Sequence, residues 1–169
     1  PAALVSAWPV RMMATPTGFA ELGTATHFSF LEGASSPAEM VETALALGHP
    51  GIGIADKNTV AGVVRAHVAV RELAEAAKEA GAELPPFKLA VGARLVFADG
   101  TPDVIAYPAH RHGWGRLTRL LTTGNRRAEK GDCILHLSDL QFGAHQRQVG
   151  LELGGRWHED QVAAFGQGR

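Results

Sequence analysis

Apolar and polar positions follow two different periods along the chain, and the switches between them predict strands that alternate with helices. Residues 20–28 and the stretch HPGIGIAD (49–56) are predicted strands. The second should be buried, because Ile52 and Ile54 fill one face while glycine and alanine keep the other thin. Helical spacing covers about 59–80. This alternation predicts an α/β fold with a mostly parallel sheet or barrel.

Local signals set the expected limits of the first two helices. In Ser36-Pro37-Ala38-Glu39, serine suits the N-cap, proline the first turn and glutamate the capping box, and Gly48 should end this helix. Asn58 is predicted to cap the second helix. The apolar positions of that helix predict the following inward face: Val60, Val63, Val64, His67, Val70, Leu73 and Ala77.

The second half of the chain continues the alternation less regularly. The predicted elements are strands over 87–100, 103–108 and 148–153, a helix near 111–122, an extended piece at 133–137, a helical turn at 138–140 and a weak helix at 158–165. Residues 1–18 lack the basic start and continuous apolar core of a signal peptide, so they are expected to form a leader or flexible segment. The domain itself should cover 19–169.

Composition narrows the class of protein. A chain of 169 residues with 46% hydrophobic residues can form one domain with a real core, and a net charge of −1 argues against coating nucleic acid by bulk charge. Its one cysteine, Cys133, cannot form an internal disulfide, and no apolar run approaches the ~20 residues that span a bilayer. These features predict a cytoplasmic protein without membrane contact.

Three segments then combine into a pattern typical of a known family. They are FAELGTATHFSFLEGASSPAEMVETALALGHPGIGIADKNTVAGVV, LAVGARLVFADG and DVIAYPAHRHGWGRLTRLLTTGNRR. Over roughly 19–153 the sequence resembles the N-terminal PHP (polymerase and histidinol phosphatase) domain of bacterial DNA polymerase III alpha subunits, in particular the error-prone subunit of translesion synthesis. The runs SFLEGAS and ADKNTVAGVV carry most of its specificity.

The resemblance implies a distorted seven-stranded β/α barrel whose strand ends bind up to three divalent metals in active members. Its ligand positions fall on Glu21, Gly23, Glu32, Asp56, Lys57, Arg94 and Asp103. Gly23 has no side chain to bind a metal, and Lys57 and Arg94 are cations. Two cations ~4–6 Å from a dication oppose its binding by several kcal/mol. We therefore expect a degenerate site with no metal and no catalytic residue, in which Lys57 and Arg94 pair with Glu21, Glu32 or Asp56.

Other functions stay open from the sequence. An active phosphoesterase, either a 3′–5′ exonuclease or a pyrophosphatase, would use zinc or manganese on the surviving carboxylates. A basic stretch could contact nucleic acid or another domain, although a solvated helix face is the commoner explanation; its residues are Arg111, Arg116, Arg119, Arg126, Arg127 and Lys130. His27, the His110–His112 pair and Cys133 are expected to have no metal or nucleophilic role.

The resemblance also carries expectations about partners. The chain begins with proline, which suggests a processed or truncated start, and a whole domain of this family needs roughly another hundred residues. The expected partners are the remaining domains of a polymerase and, in the full protein, DNA. A barrel with too few strands would leave open edges, so a homodimer of the fragment is a further expectation.

Overall fold

The computed structural model describes residues 18–142. The elements in chain order are β1 (Glu21–Thr24), α1 (Pro37–Ala46), β2 (Gly51–Lys57), α2 (Ala61–Glu79), β3 (Lys88–Leu95), β4 (Val104–Ala106), α3 (Arg111–Arg127) and α4 (Leu137–Phe142). They match the predicted order, so the α/β class is confirmed. The predicted leader over 1–18, apart from Gly18, and the predicted strand at 148–153 and helix at 158–165 lie outside the described residues.

The four strands form one sheet in the order β1-β2-β3-β4. β1 and β2 are parallel, with Glu21 opposite Ile52 and Thr24 opposite Ile54, while β3 and β4 are antiparallel, with Arg94 opposite Ile105. The short link through the turn at Gly100 explains this second pairing, because a parallel return needs a crossover of a dozen or more residues. The expectation of mostly parallel strands therefore fails for β3 and β4.

The chain divides into two compact units, Pro1–Gly92 and Ala93–Arg169. In the first, the buried side chains come from α1, β2 and α2: Val41, Ala44, Leu45, Ile52, Ile54, Val63, Ala66 and Ala69. Gly51 begins β2 where a Cβ would meet the carbonyl oxygen of Lys88. The thin face predicted for this strand thus lets the neighbouring backbone approach closely.

Both helix starts in this unit can be compared with their predictions. At α1 the capping box is confirmed: Glu39 N donates to Ser36 Oγ at 3.2 Å, and Ser36 N donates to Glu39 Oε2 at 2.7 Å. At α2 the predicted cap is wrong. The N-cap is Val60, which forms no side-chain cap, and Asn58 has a left-handed backbone with φ of 51°.

The predicted inward face of α2 is confirmed at Val63, is half-buried at Val70, Leu73 and Ala77, and is wrong at Val64 and His67. Gly62, Val63, Ala66 and Ala69 are buried, whereas His67 is exposed and Val64 is 66% exposed. Small side chains let α2 lie close to its neighbours, so the face that packs is the small one. The apolar periodicity followed the larger side chains and therefore left out Gly62, Ala66 and Ala69.

In the second unit, α3 packs through Leu117, Leu121 and Gly124. A Cβ on Gly124 would lie 2.5 Å from Cys133 Sγ and 2.6 Å from Leu135 Cδ2, so the glycine permits close contact with the extended piece at 133–135. Leu135 is fully buried and bridges to Phe97 in parallel register. No helix within residues 18–142 is long and apolar enough to cross a membrane.

Candidate functional site

The carboxylate of Asp56, at the end of β2, is buried in a network of hydroxyl and amide donors. Thr26 N donates to Asp56 Oδ1 at 2.7 Å, and Ser29 Oγ donates to the same oxygen at 2.7 Å. The Thr26 hydroxyl lies 3.0 Å from Oδ1 and 2.9 Å from Oδ2. All three residues are at most 1% exposed. A buried charge is tolerated only when such donors replace its hydration.

The start of α2 completes the surroundings of this carboxylate. A Cβ on Gly62 would overlap Asp56 Oδ2 and lie 3.1 Å from Thr26 Oγ1. The glycine therefore allows the carboxylate to lie against the first turn of the helix.

The loop between β1 and α1 supplies the donors and is itself tightly held. Ser29 O accepts hydrogen bonds from Glu32 N at 2.9 Å and Gly33 N at 3.0 Å. Ser29 Oγ also accepts from Lys57 N at 2.9 Å, which ties the loop to the end of β2. At the tip, Phe30 and Leu31 are 82% and 90% exposed, and Leu31 has a left-handed φ of 64°.

The other two acids at ligand positions in the first unit, Glu21 and Glu32, are also engaged. Glu32 Oε1 lies 3.4 Å from Lys57 Nζ, an ion pair whose side chains are 33% and 46% exposed. Glu21 Oε1 accepts a hydrogen bond from Gly23 N at 2.7 Å, within its own strand. Lys57 thus pairs with one of the three acids considered from the sequence. Such an exposed pair stabilises the fold by about 1 kcal/mol or less.

In the second unit, Arg94 has a different partner from those considered. Its Nε lies 3.8 Å from Asp103 Oδ2, with side chains 30% and 47% exposed. β3 and β4 bring the two residues together, since Arg94 is opposite Ile105 and Asp103 directly precedes β4. The sequence analysis considered only Glu21, Glu32 and Asp56 as partners of Arg94 and so missed this pair.

The histidine in the loop lies apart from these acids. His27 is exposed, its backbone N donates to Ser35 O at 2.9 Å, and its ring packs on Phe28 with centroids 4.6 Å apart. Within residues 18–142, no group of three or more histidine, cysteine, aspartate and glutamate side chains is arranged to hold a metal ion.

Comparison with known proteins assigns this sequence to a family. A family model described as the PHP domain matches residues 21–148. The chain belongs to the PHP domain family. It is 54% identical over 128 residues to error-prone DNA polymerase 1 of Rhizobium meliloti, 55% over 128 to error-prone DNA polymerase of Sinorhizobium medicae, and 51% over 132 to that of Brucella abortus.

These relatives are much longer than this PHP domain. The matches cover 76–78% of this chain but only 10–12% of each polymerase, so the chain spans about a tenth of their length. This domain is thus homologous to the PHP region of error-prone polymerases. A Bifidobacterium adolescentis protein, provisionally assigned as a metal-dependent phosphoesterase, aligns with a TM-score of 0.39 at 28% identity, over 68% of this chain and 37% of its own.

The basic stretch of the PHP domain lies on α3 and the loop after it, and one of its members has a structural role. The guanidinium of Arg127 donates to both carboxylate oxygens of Asp139, at 2.8 and 2.9 Å, and to Ile134 O at 3.2 Å. His136 N also donates to Asp139 at 2.8 Å. Arg127 therefore ties α3 to α4 rather than pointing its charge at a ligand.

This pairing predicts an acid-dependent loss of stability. The hydrogen bond from Arg127 lowers the pKa of Asp139 from 3.8 to about 2. Because the folded value is depressed, the stabilisation is complete above about pH 4 and is lost as the pH falls through about 2. We expect it to reach between about 1 and 2 kcal/mol. Urea unfolding between pH 5 and pH 2 measures it, and Asp139→Asn should flatten the curve in that window.

Asp132→Asn provides the control for this titration. Asp132 is an exposed acid in the same unit and forms no ion pair with the described residues. The pH dependence of this variant should match that of the unmodified chain. An Asp139→Asn curve as steep as the unmodified one would contradict the assignment.

The structure explains two further residues of the second unit, His110 and Cys133, without a functional role. His110 is the N-cap of α3, and its Nδ1 accepts from Gly113 N at 3.0 Å, a role that sequence reasoning missed because histidine is an uncommon cap. The ring of His112 lies 6.2 Å from that of His110. Burial raises the pKa of the Cys133 thiol, which agrees with the expectation that it is not a nucleophile.

Proposed function

We propose that this PHP domain is a non-catalytic structural part of an error-prone DNA polymerase in which internal hydrogen bonds and ion pairs stand at the metal-ligand positions. The observation that carries the proposal is the burial and hydrogen bonding of the Asp56 carboxylate. Both of its oxygens accept hydrogen bonds from Thr26, and one also accepts from Ser29, in a site that is 1% exposed. Coordinating a cation would require these donors to be released.

The remaining positions support the same proposal through charge. Glu32 faces the ammonium of Lys57, Asp103 faces the guanidinium of Arg94, and Gly23 has no donor side chain. A metal ion at either pair would have to displace a cation and then remain beside it, at an electrostatic cost. These residues do not fit a zinc or manganese centre.

The homology supports a role within a larger protein. We propose that the domain braces other parts of a polymerase active in replication or translesion repair, and its homology to about a tenth of the length of error-prone polymerases supports this role. We propose those other domains as its main partners, with DNA bound by the full protein. Three further properties stay predictions. They are the distorted seven-stranded barrel, the homodimer of the fragment and the cytoplasmic location.

Metal analysis of the purified chain tests the proposal. After incubation with excess zinc or manganese and dialysis, we expect well below one equivalent of either metal per chain, because the carboxylates already have partners. Elemental analysis by mass spectrometry gives the stoichiometry. Hydrolysis of bis-p-nitrophenyl phosphate with added manganese should not exceed the rate of buffer containing the metal alone.

Glu32→Gln serves as the matched variant for this measurement. It removes the charge of one ligand position but keeps its shape, so on our proposal it leaves the metal content unchanged. A full equivalent of bound metal that falls in Glu32→Gln, together with phosphodiester hydrolysis, would establish the alternative: a metal-dependent 3′–5′ exonuclease or pyrophosphatase.

A further inference from the structure

The outward face of α3 concentrates positive charge in a chain whose net charge is −1. Leu117, Leu121 and Gly124 form the buried stripe of this helix. At 100° per residue, Arg119 and Arg126 lie roughly opposite that stripe. Arg119, Thr122, Thr123, Arg126 and Arg127 together line an open groove.

The charge on this face is not neutralised within the described residues. No acid occurs in α3, and Arg111, Arg116, Arg119 and Arg126 form no ion pair within 18–142. Two acids of the same unit already have partners: Asp139 binds Arg127, and Asp99 accepts a hydrogen bond from Leu137 N at 2.8 Å. Glu129 and Asp132 lie in the loop beyond the helix, with Lys130 between them.

The threonines on this face line the groove but offer no free hydrogen-bond donors. Thr122 Oγ1 donates to Thr118 O at 2.8 Å, and Thr123 Oγ1 donates to Arg119 O at 3.1 Å. Their hydroxyl hydrogens are therefore used within the helix. A ligand on this face would be held by guanidinium groups alone, which favours phosphate oxygens over neutral groups.

We propose that this face of α3 binds the phosphate backbone of DNA independently of base sequence. The occupant is chosen by charge complementarity. From Arg116 to Arg126 the helix extends about 15 Å, at 1.5 Å per residue. Its four arginines that form no ion pair within 18–142, Arg111, Arg116, Arg119 and Arg126, can neutralise at most about four phosphates. The proposal goes beyond the structural role above and does not depend on the metal-ligand positions.

A fluorescence anisotropy titration of the 169-residue chain tests the proposal. The probe is a labelled single strand of about 20 nucleotides and mixed sequence, measured between about 25 and 200 mM KCl. Four phosphate contacts predict a slope of about −3 in log K against log salt. Arg119→Gln with Arg126→Gln should weaken binding at least tenfold at the lowest salt and reduce the slope by between about one and two.

Two matched variants separate local charge from total charge and from folding. Arg65→Gln with Lys78→Gln removes two exposed cations from α2, so it changes net charge equally and should keep near-normal affinity. Arg119→Lys with Arg126→Lys keeps the charge and should bind within about threefold of the unmodified chain. Circular dichroism of each variant confirms the helix content.

The outcomes decide the proposal in either direction. A selective loss in the α3 glutamine variant with recovery in the lysine variant supports it. Absence of binding at the lowest salt, or an equal loss in the α2 variant, would overturn it. Equal affinity for a polyglutamate peptide of the same charge would also overturn it, because the face would then fit an acidic protein segment rather than DNA.

Discussion

Asp56→Ala is expected to lower the free energy of unfolding by about 3–5 kcal/mol, the largest effect of any single carboxylate substitution in this domain. The change leaves the amide of Thr26 and the hydroxyls of Thr26 and Ser29 buried without their acceptor. It also releases the loop that these donors hold against β2. Urea unfolding at pH 7, with the midpoint and slope fitted separately, gives the difference.

Asp103→Ala is the control for the Asp56→Ala substitution. Asp103 occupies another of the ligand positions, but its side chain is 47% exposed and its ion pair with Arg94 spans 3.8 Å. We expect a loss below about 1 kcal/mol. Equal losses for the two variants would show that burial of the Asp56 carboxylate does not determine its contribution.

Gly33→Ala should be nearly as damaging, at about 3 kcal/mol. A Cβ at Gly33 would overlap the carbonyl oxygen of Thr26 and lie 2.6 Å from that of Ala25. The obstructing atoms are backbone, so no side-chain rotation can make room. The loop would have to shift, which would also disturb the donors that Thr26 supplies to Asp56. Thermal and urea unfolding both report the loss.

Gly115→Ala controls for the general effect of replacing glycine. Gly115 lies in α3, and a Cβ added there would have no atom within 4 Å beyond its own helix backbone and chain neighbours. Alanine is a better helix former by up to about 1 kcal/mol, so this variant should be slightly more stable than the unmodified chain. If both variants lost stability equally, the close approach at Gly33 would not be the cause.

Local chemistry explains which elements the sequence could predict. The α1 start at Ser36 and Pro37 is encoded within four residues, and β2 is indicated by its short apolar run. The range of α2 was predicted to within about two residues, but its cap was placed wrongly at Asn58 because Val60 has no capping side chain to signal it. Its buried face was predicted only in part, because close packing selected Gly62 and Ala66, which carry little weight in a hydrophobic pattern.

In the candidate site, too, the sequence could predict features set by neighbouring residues but not contacts between residues far apart in the chain. The sequence could place Asp56 at the end of a strand and mark Lys57 as a cation at a ligand position. It could not show that Thr26 and Ser29, about thirty residues earlier, supply the partners of Asp56, since that contact depends on β1 pairing with β2. Two hydroxyls spaced three apart at the end of the strand predicted over 20–28 were the available signal.

The tip of the loop at Phe30 and Leu31 has a consequence for laboratory work with the isolated domain. Two large apolar side chains stand almost entirely in water on a loop whose base is held rigidly by hydrogen bonds. In concentrated samples they offer neighbouring molecules an apolar contact surface, which favours aggregation and precipitation. Leu31→Asn would suit both water and the left-handed backbone, and would be a sensible first change for improving solubility.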